Sequence, residues 1–136
     1  MSQTEFTQQS TFYDRGYGES QAGNFGFPDL KIVDNNPEVK GKKILNIGGG
    51  NSADMWFLAA QNSIEVLDGS AAAVAQAKEH GVEGRVADIT EPLPYSDGQF
   101  DIVVLKDILE HVYDPLSVLS EGKRVLKDDG FIIISL

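Results

Sequence analysis

Lys43-Ile44-Leu45-Asn46-Ile47-Gly48-Gly49-Gly50-Asn51-Ser52-Ala53 decides how this chain is read. Ile44, Leu45 and Ile47 read as a short buried strand, three glycines turn the chain, and Ser52 to Ala60 read as a helix. Strand, glycine turn and helix together let backbone N–H groups and a helix N-terminus approach a ligand, where a Cβ would stand in the way. A second apolar run, Ile64-Glu65-Val66-Leu67, ends in Asp68, twenty residues beyond Gly48. An acid at that spacing commonly accepts the two hydroxyls of a ribose. The pattern therefore points to a nucleoside-containing cofactor. Gly48, Gly50 and Ala53 also satisfy the G-x-G-x-x-G/A spacing of dinucleotide sites, and the plain alternative is a tight turn with no ligand.

Outward from this stretch, 136 residues make one domain, long enough to bury a core. No run of about 18 apolar residues suggests a membrane span, and Met1-Ser2-Gln3-Thr4-Glu5 lacks the basic and apolar regions of a signal peptide. There is no cysteine, so neither a disulfide framework nor a thiolate metal site is expected. The expected compartment is the cytoplasm, with no metal and no membrane partner. A net charge of −10, with no basic cluster to interrupt it, disfavours nucleic acid as substrate or partner.

Residues 1–27 read as an N-terminal arm ahead of a domain at 28–136. The arm has no sustained period, yet holds Phe6, Phe12, Tyr13, Tyr17, Phe25 and Phe27. It reads as surface packing, or alternatively as a lid closing over a ligand. Leu30 to Val33 reads as a short helix or strand, stopped by Asn35-Asn36-Pro37. Beyond Lys42, strands and helices alternate. A helix capped by Ser70 runs to Gly81. A third strand lies near Arg85-Val86-Ala87, and a loop spans Ile89 to Gln99. The fourth strand is Asp101 to Leu105. Asp114 and Pro115 open another helix, with Leu116, Leu119, Val125 and Leu126 assigned mainly to one face. Asp129-Gly130 turns the chain into a last strand, Phe131 to Ile134. Short apolar runs without in–out alternation, spaced by helices, predict an α/β, doubly wound and mostly parallel sheet, with ligands at the strand C-termini.

The run Val86-Ala87-Asp88-Ile89-Thr90-Glu91-Pro92-Leu93-Pro94-Tyr95-Ser96-Asp97-Gly98-Gln99-Phe100-Asp101-Ile102-Val103-Val104, with Leu109-Glu110-His111-Val112 and Arg124 to Gly130, resembles class I S-adenosylmethionine-dependent methyltransferases. The nearest type is the small-molecule family called methyltransferase type 11. The resemblance covers about residues 40 to 136 and implies a Rossmann-like sheet in the order 3-2-1-4-5. It implies S-adenosylmethionine as cofactor and methyl transfer to a small-molecule acceptor. Gly48, Gly49 and Gly50 would pass beneath the methionine part, Asp68 would accept from the ribose, and Gly69 would leave room for the adenine. Asp88 would take the adenine amino group and the Ile89 N–H a ring nitrogen. Lys106 and Asp107 would lie near the methyl group. Leu109-Glu110-His111 reads as a structural turn, with His111 also a candidate general base. His80 reads as a helix-end residue that interacts with the dipole.

Three departures from the family pattern stand out. Asn46 replaces the acid that usually ends the first strand, removing a negative charge from the site. Ser52 replaces the family's last glycine. The chain also stops at Leu136, after the fifth strand, where the family core continues. The last strand is then an apolar edge expected to pair with a second copy in a homodimer. Two other functions fit the same residues. One is a non-catalytic or partner-dependent S-adenosylmethionine-binding module. The other, resting on the glycine spacing alone, is an NAD(P)-dependent oxidoreductase.

Overall fold

A computed structural model of the chain describes residues 39–136. The arm at 1–27 and the Leu30 to Val33 element lie outside the described residues. Five strands, β1 (Lys43–Ile47), β2 (Ser63–Asp68), β3 (Glu83–Val86), β4 (Phe100–Lys106) and β5 (Leu126–Ser135), form one sheet in the order β3-β2-β1-β4-β5. Every pairing is parallel. This is the Rossmann-like arrangement the resemblance implies.

Why the three central strands, β1, β2 and β4, are mainly apolar is visible in the register, whereas the edge strand β3 (Glu83–Val86) is polar and largely exposed. Ile44, Ile64, Val66, Ile102 and Val104 pack on one face with Met55, Leu58, Val74 and Ala77. Leu45, Ile47, Leu67, Val103 and Leu105 pack on the other with Leu93, Tyr95, Val118 and Val125. Successive side chains alternate between faces, and both faces of these strands are covered, so both halves of the alternation are mainly apolar.

Two α-helices do most of the covering. Helix α1 (Ala71–Glu79) starts where the Ser70 hydroxyl accepts the Ala73 N–H at 3.1 Å. Helix α2 (Pro115–Val125) has Pro115 in its first turn and the Asp114 carboxylate accepting from Ser117 N–H.

Three local expectations need correction. The segment after the glycines is a short 3-10 helix (Ala53–Leu58) rather than a longer regular helix. The carbonyl of Asn51, which an α-helix would give to the Met55 N–H, instead accepts the Trp56 indole N–H at 2.9 Å. Met55 N–H turns to Ser52 O at 2.8 Å, which is the tighter i to i+3 winding. Second, the buried stripe of α2 is Val118, Gly122 and Val125, while Leu116 is 76% exposed. At 3.6 residues per turn Leu116 stands about 200° around the helix from Val118. Third, β5 begins at Leu126. Leu126 pairs with Phe100 and Phe131 with Ile102, so Asp129 and Gly130 form an irregularity inside the strand.

Candidate functional site

The C-terminal ends of the parallel strands bring distant residues to one edge of the sheet. At the end of β1, Gly48 has φ +64° and donates its N–H to Leu67 O at 2.7 Å. A Cβ there would overlap Ile108 and come within 3.4 Å of Ile89 Cδ1. Ile108 follows β4 and Ile89 follows β3, so the loops of three strands converge on Gly48. A Cβ on Gly49 would likewise overlap the side-chain amide of Asn46. The turn is thus closed to side chains for reasons of space as well as φ.

Asp68 ties the turn to α1. Its Oδ2 accepts the Gly50 N–H and its Oδ1 the Ser70 N–H, both at 2.8 Å. The carboxylate is buried at the end of β2. Gly69 lies between it and the Ser70 cap. The Asp88 Oδ1 accepts both the N–H (2.9 Å) and the hydroxyl (2.6 Å) of Thr90, closing a tight turn that carries Ile89.

Asn46, only 2% exposed, donates from Nδ2 to Ser52 Oγ at 3.0 Å. Its Oδ1 is buried and, among the described residues, accepts no hydrogen bond. An orphaned buried acceptor is costly, and this one lies against the glycine turn. Beside it the two sequence departures, Asn46 and Ser52, satisfy one another, and Ser52 takes a left-handed conformation with φ +56°.

Beyond β4 the residues separate. Lys106 Nζ pairs with Asp54 Oδ2 at 3.1 Å, joining the end of β4 to the 3-10 helix. Asp107, at φ +50°, donates its N–H to Ser135 O and accepts the Ser135 hydroxyl on Oδ1 at 2.9 Å. That carboxylate is engaged with β5. His111 ends a second 3-10 helix (Leu109–His111); its side chain is 64% exposed, with Glu110 Oε1 3.9 Å from Nε2. No hydrogen bond joins His111's side chain to the glycine-turn cluster.

The loop that carries Asp88 and Ile89 is clamped from below. The Arg124 guanidinium bonds to Glu121, to Asp97 (2.8 Å) and to the carbonyls of Tyr95 (2.9 Å) and Leu93 (3.1 Å). Glu121 Oε1 also accepts the Leu93 N–H at 2.8 Å. The Arg124 partner holds the Glu121 carboxyl below its usual range. Burial and the neighbouring Glu65 push the Tyr95 phenol above its own.

Sequence reasoning missed Asp54 and Ile108 as parts of this cluster. The Lys106–Asp54 pair spans fifty-two residues and Ile108 meets Gly48 across the sheet, so neither leaves a local signature. Among the described residues no group of acids or histidines is placed to hold a metal ion.

A family model described as "Methyltransferase domain" matches residues 45–134. A ubiquinone biosynthesis O-methyltransferase of Pseudomonas aeruginosa is 33% identical over 113 residues, covering 76% of this chain and 47% of the relative. This chain therefore spans about half the length of the curated relatives it matches. Among solved structures, a phosphoethanolamine N-methyltransferase of Haemonchus contortus, in complex with phosphoethanolamine and S-adenosylhomocysteine, superposes with a TM-score of 0.77. It is 16% identical and covers 98% of this chain and 32% of that one. A SAM-dependent methyltransferase from Thermotoga maritima gives 0.66 at 22% identity, covering 96% and 57%. At these identities the structures speak for the fold alone.

Proposed function

This chain belongs to the methyltransferase-domain family, and from that premise we propose that it binds S-adenosylmethionine and transfers its methyl group to a small-molecule acceptor. The observation that carries this reading is Asp68. Its carboxylate is fixed by the Gly50 and Ser70 N–H groups at the end of β2, beside a turn closed to side chains. The matches give the nicotinamide alternative no support.

One buried atom beside the turn supports this cofactor. The orphaned Asn46 Oδ1 is an acceptor suited to a donor such as an ammonium group. Bound there, the cofactor supplies an activated methyl on a sulfonium that is already a good leaving group. In our reading Gly48, Gly49 and Gly50 let the backbone approach its methionine end, and Asp68 accepts the ribose hydroxyls. Gly69 leaves space for the adenine, with Asp88 and the Ile89 N–H at its edge. Lys106 and Asp107 flank the methyl end. The chain's main catalytic task is alignment, the entropic part of the barrier. His111 would act as a general base only for an acceptor that arrives protonated.

Calorimetric titration with S-adenosylmethionine and S-adenosylhomocysteine tests binding, and a methylation assay beside it tests turnover. Binding of neither overturns the reading; binding without turnover on any acceptor leaves the cofactor-binding module.

The oligomeric reading is a homodimer paired along β5. That strand is one of the two edges of the sheet among the described residues, the other being β3, and Phe131 and Ile134 on it are about half exposed.

A further inference from the structure

Four residues outside the assigned site close a ring of contacts at the exit of the glycine turn. Asn51 Nδ2 donates to Gln76 Oε1 at 3.1 Å. The Asn51 carbonyl accepts the Trp56 indole N–H at 2.9 Å. The Trp56 and His80 rings are parallel, with centroids 3.4 Å apart. His80 Nδ1 lies 3.0 Å from the Gln76 carbonyl. A carbonyl can only accept, so Nδ1 carries the proton in this bond. The circuit Asn51–Gln76–His80–Trp56 joins the turn, the 3-10 helix and the second half of α1.

Such a ring is more than the packing of these elements requires. Trp56 is half-buried and His80 is an exposed helix cap, so an apolar contact would join the two surfaces as well. What the polar links add is direction. Asn51 follows Gly50, whose N–H is aimed at Asp68 Oδ2, and Asn51 Oδ1 accepts the Ala53 N–H at 3.1 Å. With its amide held by Gln76 and its carbonyl by Trp56, Asn51 has little freedom to rotate, and Gly50 inherits that constraint. The short 3-10 helix could not impose it alone, because nucleating one turn is unfavourable.

We propose that Asn51, Trp56, Gln76 and His80 form a clasp that presets the glycine turn for its ligand, each as a positioning residue. The ligand rests on the cofactor reading above; the clasp itself does not. It is tested with Asn51→Ala, His80→Ala, their double variant, Trp56→Phe, and His80→Phe, which keeps a ring on the indole without the Nδ1 bond. The readouts are amide hydrogen exchange without ligand at Gly50 and Ser52, and at Ala53 only in the variants that keep Asn51, whose Oδ1 is the Ala53 acceptor, together with calorimetric affinity for S-adenosylhomocysteine and the thermal midpoint.

Faster exchange at these amides and an affinity loss of about three- to tenfold are expected for each single variant, the size of one neutral hydrogen bond. The double variant should lose no more than the worse single, because one broken link opens the whole ring. Wild-type exchange and affinity with only a lowered midpoint would overturn the clasp and leave packing. If the unmodified chain binds no S-adenosylhomocysteine, the cofactor reading fails, and the exchange data alone judge the clasp. Should His80→Ala not fold, His80→Phe and Trp56→Phe carry the same comparison.

Discussion

In the proposed site, Asp68 and Gly49 are the positions where a single substitution is expected to tell most. Replacing Asp68 by Ala removes a buried acceptor from two backbone N–H groups. We expect S-adenosylhomocysteine binding to weaken ten- to hundredfold, about 1.5–3 kcal/mol, as for lost hydrogen bonds to a charged group. A folded variant that titrates with unchanged affinity would remove Asp68 from the site. Gly49→Ala puts a methyl group into the Asn46 amide. The neighbour there is a locked buried side chain, so the thermal midpoint should drop by several degrees, in line with an overpacking cost of about 1–3 kcal/mol. Asn46→Ala in the same chain should recover part of that drop, because it vacates the contested space. No recovery would place the strain in the backbone instead.

Among the elements, the loop between β3 and β4 is held on one side by the Arg124–Glu121 ion-pair cluster and on the other by Arg85 and Glu65, which bond Pro94 O and the Tyr95 hydroxyl. Glu121 titrates below its usual value because Arg124 hydrogen-bonds its carboxylate. Asp101 does so mainly because the Lys43 N–H donates to it. In both cases the folded chain releases its proton more readily than the unfolded one. The stabilisation is complete above the ordinary carboxylate range, near pH 4 to 5, and is lost as pH falls through the depressed folded values. Urea midpoints measured from pH 7 to pH 3 should therefore decline on the acid side. Glu121→Gln should decline less steeply while being less stable at pH 7. An equally steep acid limb in that variant would show that Glu121 does not contribute to it.

For the whole molecule, the open question is the β5 edge. Phe131 and Ile134 are about half exposed, and the strand has no further neighbour among the described residues. Light scattering across micromolar dilution should show a dimer that dissociates as the chain is diluted, and Ile134→Lys should shift it to monomer. A strict monomer at every concentration would discard the pairing.

The sequence by itself determined the sheet. The apolar runs around Ile44, Ile64, Ile102 and Ile132, spaced by helices with Ser70 and Asp114 caps, call for a parallel sheet covered by helices, and the structure has it, in the strand order that the family resemblance implied. It also pointed to the glycine turn and Asp68, because close backbone approach and a strand-end acid are local requirements with local spacing. Only the tertiary structure decided who meets whom. The Asn51 carbonyl goes to Trp56 and makes the next element a 3-10 helix. Lys106 reaches Asp54, Asp107 turns to Ser135, and His111 makes no hydrogen bond to the turn. Side-chain partners across a sheet are set by register and crossover, and a linear periodicity records neither.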